Sequence, residues 1–477
     1  MKTKNSTVKI IIICFLISFI PVVKSYQDVN LNKCDFSKNT SFLESSIIIP
    51  DNYPTIQQGI DNANSGDTIF VKEGIYKEHL IINKTGLTLQ GENKYNTIID
   101  GCKTTGDGIK IKAEDVTVKD LTIKNYKDKK KPGIYSWNQA GIEIHESNAK
   151  IINNYFVDNG VGLELFSSII NTTISDNEMI NDSLLIGNYF DRFPSTFPEI
   201  TKSSFVHNIY NNTVNGKPLY YFKDKSNFSA PTDAGQITMV NCSNFSIKDL
   251  YMNNNDFSLI LAYCYDGLIE NVTITDTNGE TLLFECENIT IQNNEITNTF
   301  KGICLEYKSK NNLIQNNFFS GNYVGISLFN SANNNTIFQN KVYDGYGYMG
   351  SGIEIVSYHN GTQKDNNITE NQIENNPIGI HFRQNTINNT IYKNNITKNQ
   401  IGIFLEVSSN NNKIINNNFQ KNLIQASFYG CYTNIWNQNY WGKSKALPKP
   451  IFGLRNFLNL KFPYVNFDKN PKTEPII

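Results

Sequence analysis

Three features of the sequence predict a right-handed parallel β-helix, which is an all-β solenoid. The first is an asparagine with an apolar residue three positions before it and another two positions after it, as in Ile314, Asn317 and Phe319. In the second half of the chain this pattern recurs at intervals of 23, 23, 31, 23, 23 and 22 residues, which is typical of stacked repeats. The seven asparagines are Asn294, Asn317, Asn340, Asn371, Asn394, Asn417 and Asn439.

The second and third features are a recurring glycine and the short strand that it opens. Gly-Ile-Glu-Ile at 141–144 and Gly-Ile-Phe-Leu at 402–405 both alternate apolar and variable positions, which is the pattern of a strand with one face inside. We expect the glycine to supply the unusual backbone angles of a corner. The glycines are Gly141, Gly162, Gly302, Gly325, Gly352, Gly379 and Gly402.

A buried asparagine at each turn can donate to and accept from the amides of the turns above and below it. We therefore expect Asn317, Asn340, Asn394 and Asn417 to form one internal ladder. A solenoid grows along one axis, so the length of 477 residues requires no division into several globular domains.

The N-terminus has the pattern of an export signal. Lys2, Lys4 and Lys9 precede an apolar stretch, and Val23-Lys24-Ser25 follows it as a small-residue cleavage pattern. We expect a signal peptide at 1–25, a linker at 26–45, and a secreted or cell-surface protein with no transmembrane span once the signal is removed. Sequons such as Asn83 and Asn171 are candidate glycosylation sites in an exported chain.

We assign residues 46–445 to the β-helix and 446–477 to a C-terminal cap. Thr55 is a suitable N-cap for a short helix that covers the first turn, and strands follow from Thr68. Loop insertions are expected near 126–140, 184–236 and 343–351. Trp436 and Trp441 replace the isoleucine and phenylalanine of the last turn, which predicts an aromatic lid on that end.

The stretch from Tyr53 to Gly101 resembles the opening of right-handed β-helix proteins of the NosD-type and "carbohydrate-binding and sugar hydrolase" repeat group. It carries Pro-Thr-Ile-Gln, Gly-Asp-Thr-Ile and Ile-Ile-Asp-Gly, and the repeats as far as Trp441 are similar to the same group. The stretch 215–242 and the tail from Asn434 resemble archaeal secreted members. The resemblance implies a β-helix, and it does not select among binding, enzymatic and surface roles.

Glu143, Glu164 and His145 are the candidate catalytic residues. Each glutamate lies between the two apolar positions of a Gly-opened strand, so it is expected to point outward. Neighbouring turns lie ~4.8 Å apart, which is near the carboxyl separation of retaining glycoside hydrolysis. The alternative is a pair of ordinary solvated carboxylates. The Gly-His-Gly and Arg-x-Lys patterns of many polysaccharide-cleaving β-helices are absent from the sequence.

Aromatic residues in two insertions are the candidate substrate-binding residues, because sugar rings stack on aromatic faces. Both insertions precede a Gly-opened strand, so we expect these residues to share one side of the β-helix. They are Tyr135, Trp137, Tyr343, Tyr346 and Tyr348.

Composition excludes some classes of partner and cofactor. The net charge is -1, with 43 basic and 44 acidic residues, so no basic field favours nucleic acid. Cys242, Cys264, Cys286 and Cys431 fall in one column of the repeat, and thiolates favour Cu(I). We interpret this column as buried core, and we predict no metal site and no cofactor.

The favoured function is binding of carbohydrate or another cell-surface polymer along the side face. Three alternatives stay open: a polysaccharide lyase, hydrolase or epimerase; a structural, adhesin-like surface protein; and a NosD-like copper-related periplasmic protein. The sequence contains no complete catalytic motif, so enzymatic activity is left open, as is the oligomeric state.

Overall fold

Short parallel strands stack along the chain in a β-helix of about 17 turns, which confirms the predicted fold class. The computed structural model describes residues 46–127, 139–188, 200–358, 361–443, 447–457 and 460–476, all within the unit 44–477. The predicted signal peptide at 1–25 and the linker at 26–45 lie outside the described residues. No helix among the described residues is long and apolar enough to cross a membrane.

A short helix, Ile56–Asn62, covers the first turn as predicted. The Thr55 hydroxyl accepts a hydrogen bond from the Gln58 amide at 3.2 Å, which satisfies one free amide of the helix start. Ile56 and Ile60 are fully buried against the first strands. The apolar edge of the solenoid is therefore closed at this end. A 3₁₀ helix spans Lys202–Phe205.

Three sheets build the N-terminal part of the β-helix, with one strand of each in a typical turn. Sheet A contains Ser46–Ile49, Thr68–Val71, Thr88–Gly91, Thr117–Lys119, Lys150–Ile152, Thr173–Ser175 and Asn208–Tyr210. Sheet B contains Gly74–Tyr76, Thr97–Asp100, Thr122–Lys124, Tyr155–Val157, Glu178–Ile180 and Thr213–Val214. Sheet C, which holds the first Gly-opened strands, contains Leu80–Ile82, Ile109–Ile111, Ala140–Ile144, Val161–Phe166 and Leu184–Asn188.

Three further sheets build the C-terminal part. Sheet D holds the later Gly-opened strands, and it contains Lys217–Lys223, Gln236–Val240, Leu259–Ala262, Glu280–Phe284, Lys301–Glu306, Val324–Phe329, Ser351–Val356, Ile378–Arg383, Ile401–Leu405, Ile424–Tyr429, Lys449–Phe457 and Leu460–Asp468. Sheet E contains Ser226–Ser229, Ser243–Lys248, Tyr265–Glu270, Glu287–Gln292, Leu313–Gln315, Thr336–Phe338, Asn367–Thr369, Thr390–Tyr392, Lys413–Ile415 and Ile435–Asn437. Sheet F contains Tyr251–Asn253, Thr273–Thr275, Glu295–Thr297, Phe318–Ser320, Lys341–Tyr343, Gln372–Glu374, Asn395–Thr397 and Asn418–Gln420, and a small pair joins Gln363–Lys364 to Thr386–Ile387.

The recurring glycine serves close packing between turns, not the unusual backbone angles that we expected. The Gly-opening positions do not have positive φ. A Cβ atom on Gly325 would lie 2.6 Å from the Gly352 carbonyl oxygen and 2.6 Å from a methyl group of Val342. A side chain at this corner would therefore push successive turns apart.

Buried asparagines form the predicted ladder. The Asn317 side chain donates to Asn340 Oδ1 at 2.9 Å and to the Ile291 carbonyl at 2.9 Å. The Asn394 side chain repeats this with Asn417 at 3.0 Å and Ile368 at 2.8 Å. Each buried amide thus bonds to the next turn and to the main chain, which compensates for its removal from water.

Two more ladders occupy the other corners, and the sequence pattern missed them. One runs through Asn312, Asn335, Asn366, Asn389, Asn412 and Asn434. The other runs through Asn376, Asn399 and Asn422. The residue before a ladder asparagine often has positive φ, as at Asn311 and Asn316, with φ of 58° and 55°. Asparagine tolerates this left-handed conformation, which explains the many Asn-Asn pairs.

The C-terminal cap is a long antiparallel hairpin, Lys449–Phe457 with Leu460–Asp468. Asp468 is fully buried and ends the first ladder, because its carboxylate accepts hydrogen bonds from Asn439 Nδ2 at 3.0 Å and from Trp441 Nε1 at 3.1 Å. Trp436 and Trp441 are 3% and 4% exposed, so the predicted aromatic lid is confirmed.

Where sheet C ends, side chains from later turns make the hydrogen bonds to its last strand that a further strand would otherwise make. Gln236 brackets Leu184, accepting from its amide at 3.1 Å and donating to its carbonyl at 2.6 Å. Asp256 accepts a hydrogen bond from the Ser183 amide at 2.9 Å. Asp182 and Asp256 are both fully buried. This joint lies within the predicted insertion at 184–236 and its flanks.

We predict that Asn394→Leu lowers the free energy of unfolding by roughly 1 to 3 kcal/mol, because it leaves buried partners of the ladder unpaired. Denaturant unfolding measures the change. Asn367→Leu is the matched control, since Asn367 lies in a strand and its side chain is exposed. An Asn394→Leu protein as stable as the control would contradict the ladder's contribution.

The acid pair at the joint predicts a pH dependence of stability. Burial raises the pKa of Asp256 to about 7 and that of Asp182 well above its usual value, while Lys127 acts in the opposite direction on both. The folded protein therefore holds protons that the unfolded chain, with an aspartate pKa of about 3.9, has released. The free energy of unfolding should fall as the pH rises from about 4 to about 7.

Asp256→Asn should flatten this dependence and stabilise the protein most above pH 7. Unfolding free energies of wild type and variant, measured across the pH range, give a difference that grows with pH. Asp249→Asn is the control, because Asp249 is exposed. Parallel pH profiles for wild type and Asp256→Asn would show that Asp256 does not titrate in this window.

Candidate functional site

The outward-facing residues of sheets C and D stack in columns, as the strand alternation predicts. Glu143 lies directly beside Glu164, with Lys110 on its other side. Further along the chain, Cys304 lies beside Ser327, and Glu354 beside His381. Side chains of consecutive turns are therefore neighbours on this face, although their positions in the sequence are 21 to 33 residues apart.

Glu143 and Glu164 are each only 4% exposed, so the alternative that they are ordinary solvated carboxylates is wrong. On sheet D, the outward-facing Cys304, Ser327 and His381 are also buried, and each is 0% exposed. Residues that point away from the solenoid core are thus covered by their neighbours. Charged groups in such a place need partners, because burial without them is costly.

Glu143 has two such partners, which form an ionic cluster around it. Its Oε2 lies 2.7 Å from Lys110 Nζ and 3.0 Å from His145 Nε2, and Lys110 also contacts Asp107 at 3.0 Å. Burial opposes the charge on Glu143, but His145 and Lys110 outweigh it and hold its pKa below the usual value. Burial and the charge of Glu143 raise the pKa of Asp107. The sequence brought Glu143, Glu164 and His145 together but missed Lys110.

A second ionic cluster on sheet D was not predicted as a site. Arg383 lies 2.9 Å from Glu354 and 3.5 Å from Glu406, and His381 Nε2 lies 3.3 Å from Glu406. Burial disfavours the charge on Glu406, but the contacts with His381 and Arg383 lower its pKa overall. The Arg383 and Glu406 side chains are 28% and 23% exposed, so solvent reaches this cluster. The sequence could have indicated this cluster, because aligning the Gly-opened strands places Glu354 beside His381.

A third cluster continues the same face toward the middle of the chain. Lys301 Nζ lies 2.9 Å from Glu280 and 3.6 Å from Cys304 Sγ, and Cys304 Sγ lies 3.6 Å from Glu306. Together these two clusters form what we call the charged strip of sheet D. The charged strip comprises Glu280, Lys301, Cys304, Glu306, Glu354, His381, Arg383 and Glu406.

Aromatic rings border the charged strip on both sides. On one side Phe300 stacks on Tyr323 at 5.3 Å, and Tyr323 contacts Tyr346 at 5.9 Å. On the other side Phe329 contacts Tyr358 at 5.6 Å. Lys301 lies 5.2 Å from the centre of the Phe329 ring, and Arg383 lies 5.4 Å from that of Tyr358. These cation–π contacts hold the strip and its borders together.

Of the three predicted aromatic residues that the structure describes, Tyr346 alone is part of a border. Tyr343 is the last residue of a sheet F strand, and its hydroxyl donates to Gln372 at 2.7 Å, so the prediction that these residues share one side is wrong for Tyr343. Tyr348 is 92% exposed. Tyr135 and Trp137 lie outside the described residues. Tyr343 differs from Tyr346 because it still belongs to a strand of sheet F, and the loop insertion begins only after that strand.

The predicted cysteine column is present, and its thiols do not fit a copper site. Cys242, Cys264 and Cys286 are at most 1% exposed and lie inside the hydrophobic core. Their thiols donate to main-chain carbonyls, as Cys264 does to Ala262 at 3.3 Å. Burial raises the pKa of the Cys264 thiol well above its usual value, whereas metal ligation requires a thiolate.

Glu280, Cys304 and Glu306 are the one group of possible metal ligands that the described residues bring within 4.8 Å of one another. Their arrangement also does not fit Cu(I). It offers one sulfur beside two hard carboxylates, and the Lys301 ammonium already neutralises Glu280. The described residues therefore supply no set of soft ligands for copper.

The fold and this face define the molecule as a parallel β-helix protein with an ionic outward face. The sequence profile of the family described as "Periplasmic copper-binding protein (NosD)" matches residues 196–363 and 360–446, which is more than half of the chain. The chain belongs to the NosD family, and the resemblance to NosD-type proteins is confirmed.

Other similarities are partial or distant. Probable pectinesterase/pectinesterase inhibitor 17 of Arabidopsis thaliana is 41% identical over 59 residues, which is 12% of this chain and 12% of that protein. The surface adhesin PfbA of Streptococcus pneumoniae is 15% identical, with a TM-score of 0.35 over 88% of this chain and 95% of that chain. The periplasmic alginate epimerase AlgG is 13% identical, with a TM-score of 0.33 over 87% and 72%. At this level neither structure assigns an activity to this chain.

We predict that the reduced, folded protein retains no stoichiometric Cu(I) against a competing chelator, because the thiols of the cysteine column are buried in the hydrophobic core and lack partner ligands. Metal analysis after chelator competition and gel filtration measures the bound copper. One Cu(I) retained per chain, and lost on Cys264→Ser but not on Cys102→Ser, would overturn this prediction. Cys102 is the control because it is exposed.

Proposed function

We propose that this protein binds a glycan or another surface polymer along the outward face of sheet D. The observation that supports this is the charged strip, in which polar side chains repeat turn after turn between two rows of aromatic rings. Aromatic rings pack against the apolar faces of sugars, while charged and amide groups bind hydroxyls. The repeat of ~4.8 Å per turn suits a ligand that is itself a linear chain.

The accessible end of the charged strip is the expected point of contact. Tyr358 is 37% exposed and lies over Arg383, whose partners Glu354 and Glu406 fix its position. A sugar that stacks on Tyr358 would meet three ionised groups within one or two turns. Preorganised groups of this kind lose little entropy on binding.

We place this function outside the cytoplasm, at the cell surface or in the surrounding medium. The family description names a periplasmic protein, and the N-terminal sequence has the pattern of an export signal. The copper named in that description has no set of ligands among the described residues, so we do not assign copper binding to this chain.

A second candidate is acid–base catalysis on a polysaccharide, as in a lyase, hydrolase or epimerase. The contact of His381 Nε2 with Glu406 at 3.3 Å favours it, because an ionised carboxylate that orients an imidazole is a common acid–base arrangement. The pair Glu143 and His145 offers the same chemistry on sheet C. Glu143, Glu164 and His145 stay our predicted catalytic residues under this alternative. A purely structural, adhesin-like role needs neither cluster.

We predict that Tyr358→Ala and Trp137→Ala each weaken glycan binding several-fold while leaving stability nearly unchanged. A stacking contact contributes about 0.5 to 1.5 kcal/mol. Tyr358 is 37% exposed, and the sequence predicts a loop insertion around Trp137. A broad glycan array selects the ligand, and titration calorimetry then gives the affinities. Tyr251→Ala is the matched control, since Tyr251 is 53% exposed and lies on sheet F.

The same ligand separates binding from catalysis. Glu143→Gln, Glu164→Gln and Glu406→Gln should abolish release of reducing ends or unsaturated products if the protein is an enzyme, while affinity changes little. An unchanged affinity for Tyr358→Ala and Trp137→Ala, together with product release that these glutamines eliminate, would reverse our order of the two candidates. If the protein binds no glycan on the array, the structural, adhesin-like role becomes the favoured function.

A further inference from the structure

The C-terminal hairpin has one face in the core and one face in solvent. In an antiparallel pair, residues directly opposite each other point to the same side. Ile451, opposite Asn466, is 2% exposed, and Tyr464, opposite Gly453, packs against Phe428 with ring centres 6.0 Å apart. These pairs turn inward and close the last turn of the β-helix.

Four alternate pairs have the opposite orientation; the one at the tip, Asn456 with Lys461, is polar, and the other three are apolar. They are Pro450 with Phe467, Phe452 with Val465, and Leu454 with Pro463. Phe452 is 64% exposed, Phe467 49% and Leu454 39%. Folded proteins rarely leave so many large apolar side chains together in water unless they contact something else. We call this set the apolar face of the hairpin.

Exposed aliphatic residues next to the hairpin enlarge this surface. Leu447 is 77% exposed, Leu423 84% and Ile424 45%. Ile424 begins the sheet D strand that pairs with the hairpin. The surface therefore spans the end of sheet D as well as the hairpin.

The C-terminal residues 442–477, which include the hairpin, carry an excess of positive charge. Residues 442–477 contain seven basic residues and two acidic ones, a net charge of +5, so the remaining residues, 1–441, carry -6 of the total of -1. One of the two acids, Asp468, is buried in the core. The basic residues are Lys443, Lys445, Lys449, Arg455, Lys461, Lys469 and Lys472.

We propose that the C-terminal hairpin docks onto an anionic lipid surface, with Phe452, Leu454 and Phe467 entering the interface and the basic residues binding the head groups. Apolar side chains surrounded by lysine and arginine are the combination that holds peripheral proteins on anionic membranes. A glycan does not suit the apolar face, because its three pairs offer no polar side chain to a hydroxyl, and the polar pair Asn456 and Lys461 lies at the tip beyond them.

Docking would also orient the proposed binding site. The apolar face continues the outward face of sheet D, since Leu454 pairs with Tyr429 and the Ser427 hydroxyl donates to the Phe452 carbonyl at 3.3 Å. The charged strip lies on that same face. A docked protein would therefore hold the strip beside the membrane, where surface polymers are anchored. The docking proposal itself does not depend on the identity of the polymer.

Co-flotation of the full chain with phosphatidylcholine vesicles, with and without phosphatidylglycerol, tests the proposal. We expect binding to the anionic vesicles alone, and a loss of binding near 1 M salt, where charges are screened beyond about 3 Å. The double variant Phe452→Ser with Phe467→Ser should lower the partition coefficient at least about tenfold, because two apolar side chains no longer enter the interface. Tyr265→Ser, which replaces an aromatic residue that is 46% exposed on sheet E, should bind like wild type.

Thermal unfolding of each variant distinguishes lost docking from lost folding. If the double variant unfolds early, Lys469→Glu with Lys472→Glu replaces it as the test, since both lysines are exposed. Equal binding to neutral and anionic vesicles, or unchanged binding by both double variants, would overturn the proposal. So would a wild-type dimer in solution that Phe452→Ser dissociates, because the apolar face would then be covered by a second copy of the chain.

Discussion

The hydrogen bonds between buried side-chain amides are the constraint on which the rest of this structure depends. From Asn154 onward the turns bury asparagines at their corners, and each of these amides must find its partners in the main chain and in the next turn. This requirement fixes the spacing and the register of the turns. Because the register is fixed, outward residues of consecutive strands become neighbours. The ionic clusters on sheets C and D form between turns that the parallel strand pairing and, from Asn154 onward, the ladders hold in line.

The outward face combines two demands that usually conflict. Charges such as Glu143 and Lys301 are almost fully covered, yet they lie outside the apolar core. They are kept there by opposite charges on adjacent turns and by aromatic rings beside them. Such clusters do little for net stability, since desolvation offsets much of the attraction. Arg383 and Glu406 are partly open, so solvent reaches this part of the charged strip.

Membership of the NosD family and the chemistry of the described residues point in different directions. The family description names copper, whereas the thiols of the cysteine column lie in the hydrophobic interior, and Lys301 already neutralises Glu280 in the one mixed group of possible ligands among the described residues. A family fold can persist while the residues on its surface change, because the ladders constrain corners and core and leave outward positions free to vary. The apolar hairpin face is a further surface of this kind, built on the end of a solenoid whose interior follows the common pattern.

The sequence alone determined the solenoid, the corner asparagines, the capping helix at Thr55 and the aromatic lid, because each depends on local spacing and residue type. It also placed Glu143 beside Glu164, since that contact follows from the repeat. Only the tertiary structure decided that these glutamates are buried, that Lys110 pairs with Glu143, and that Tyr343 lies on another sheet. It also decided that the hairpin turns an apolar face to solvent. These features depend on which side chains from distant turns cover one another, and a repeat period does not contain that information.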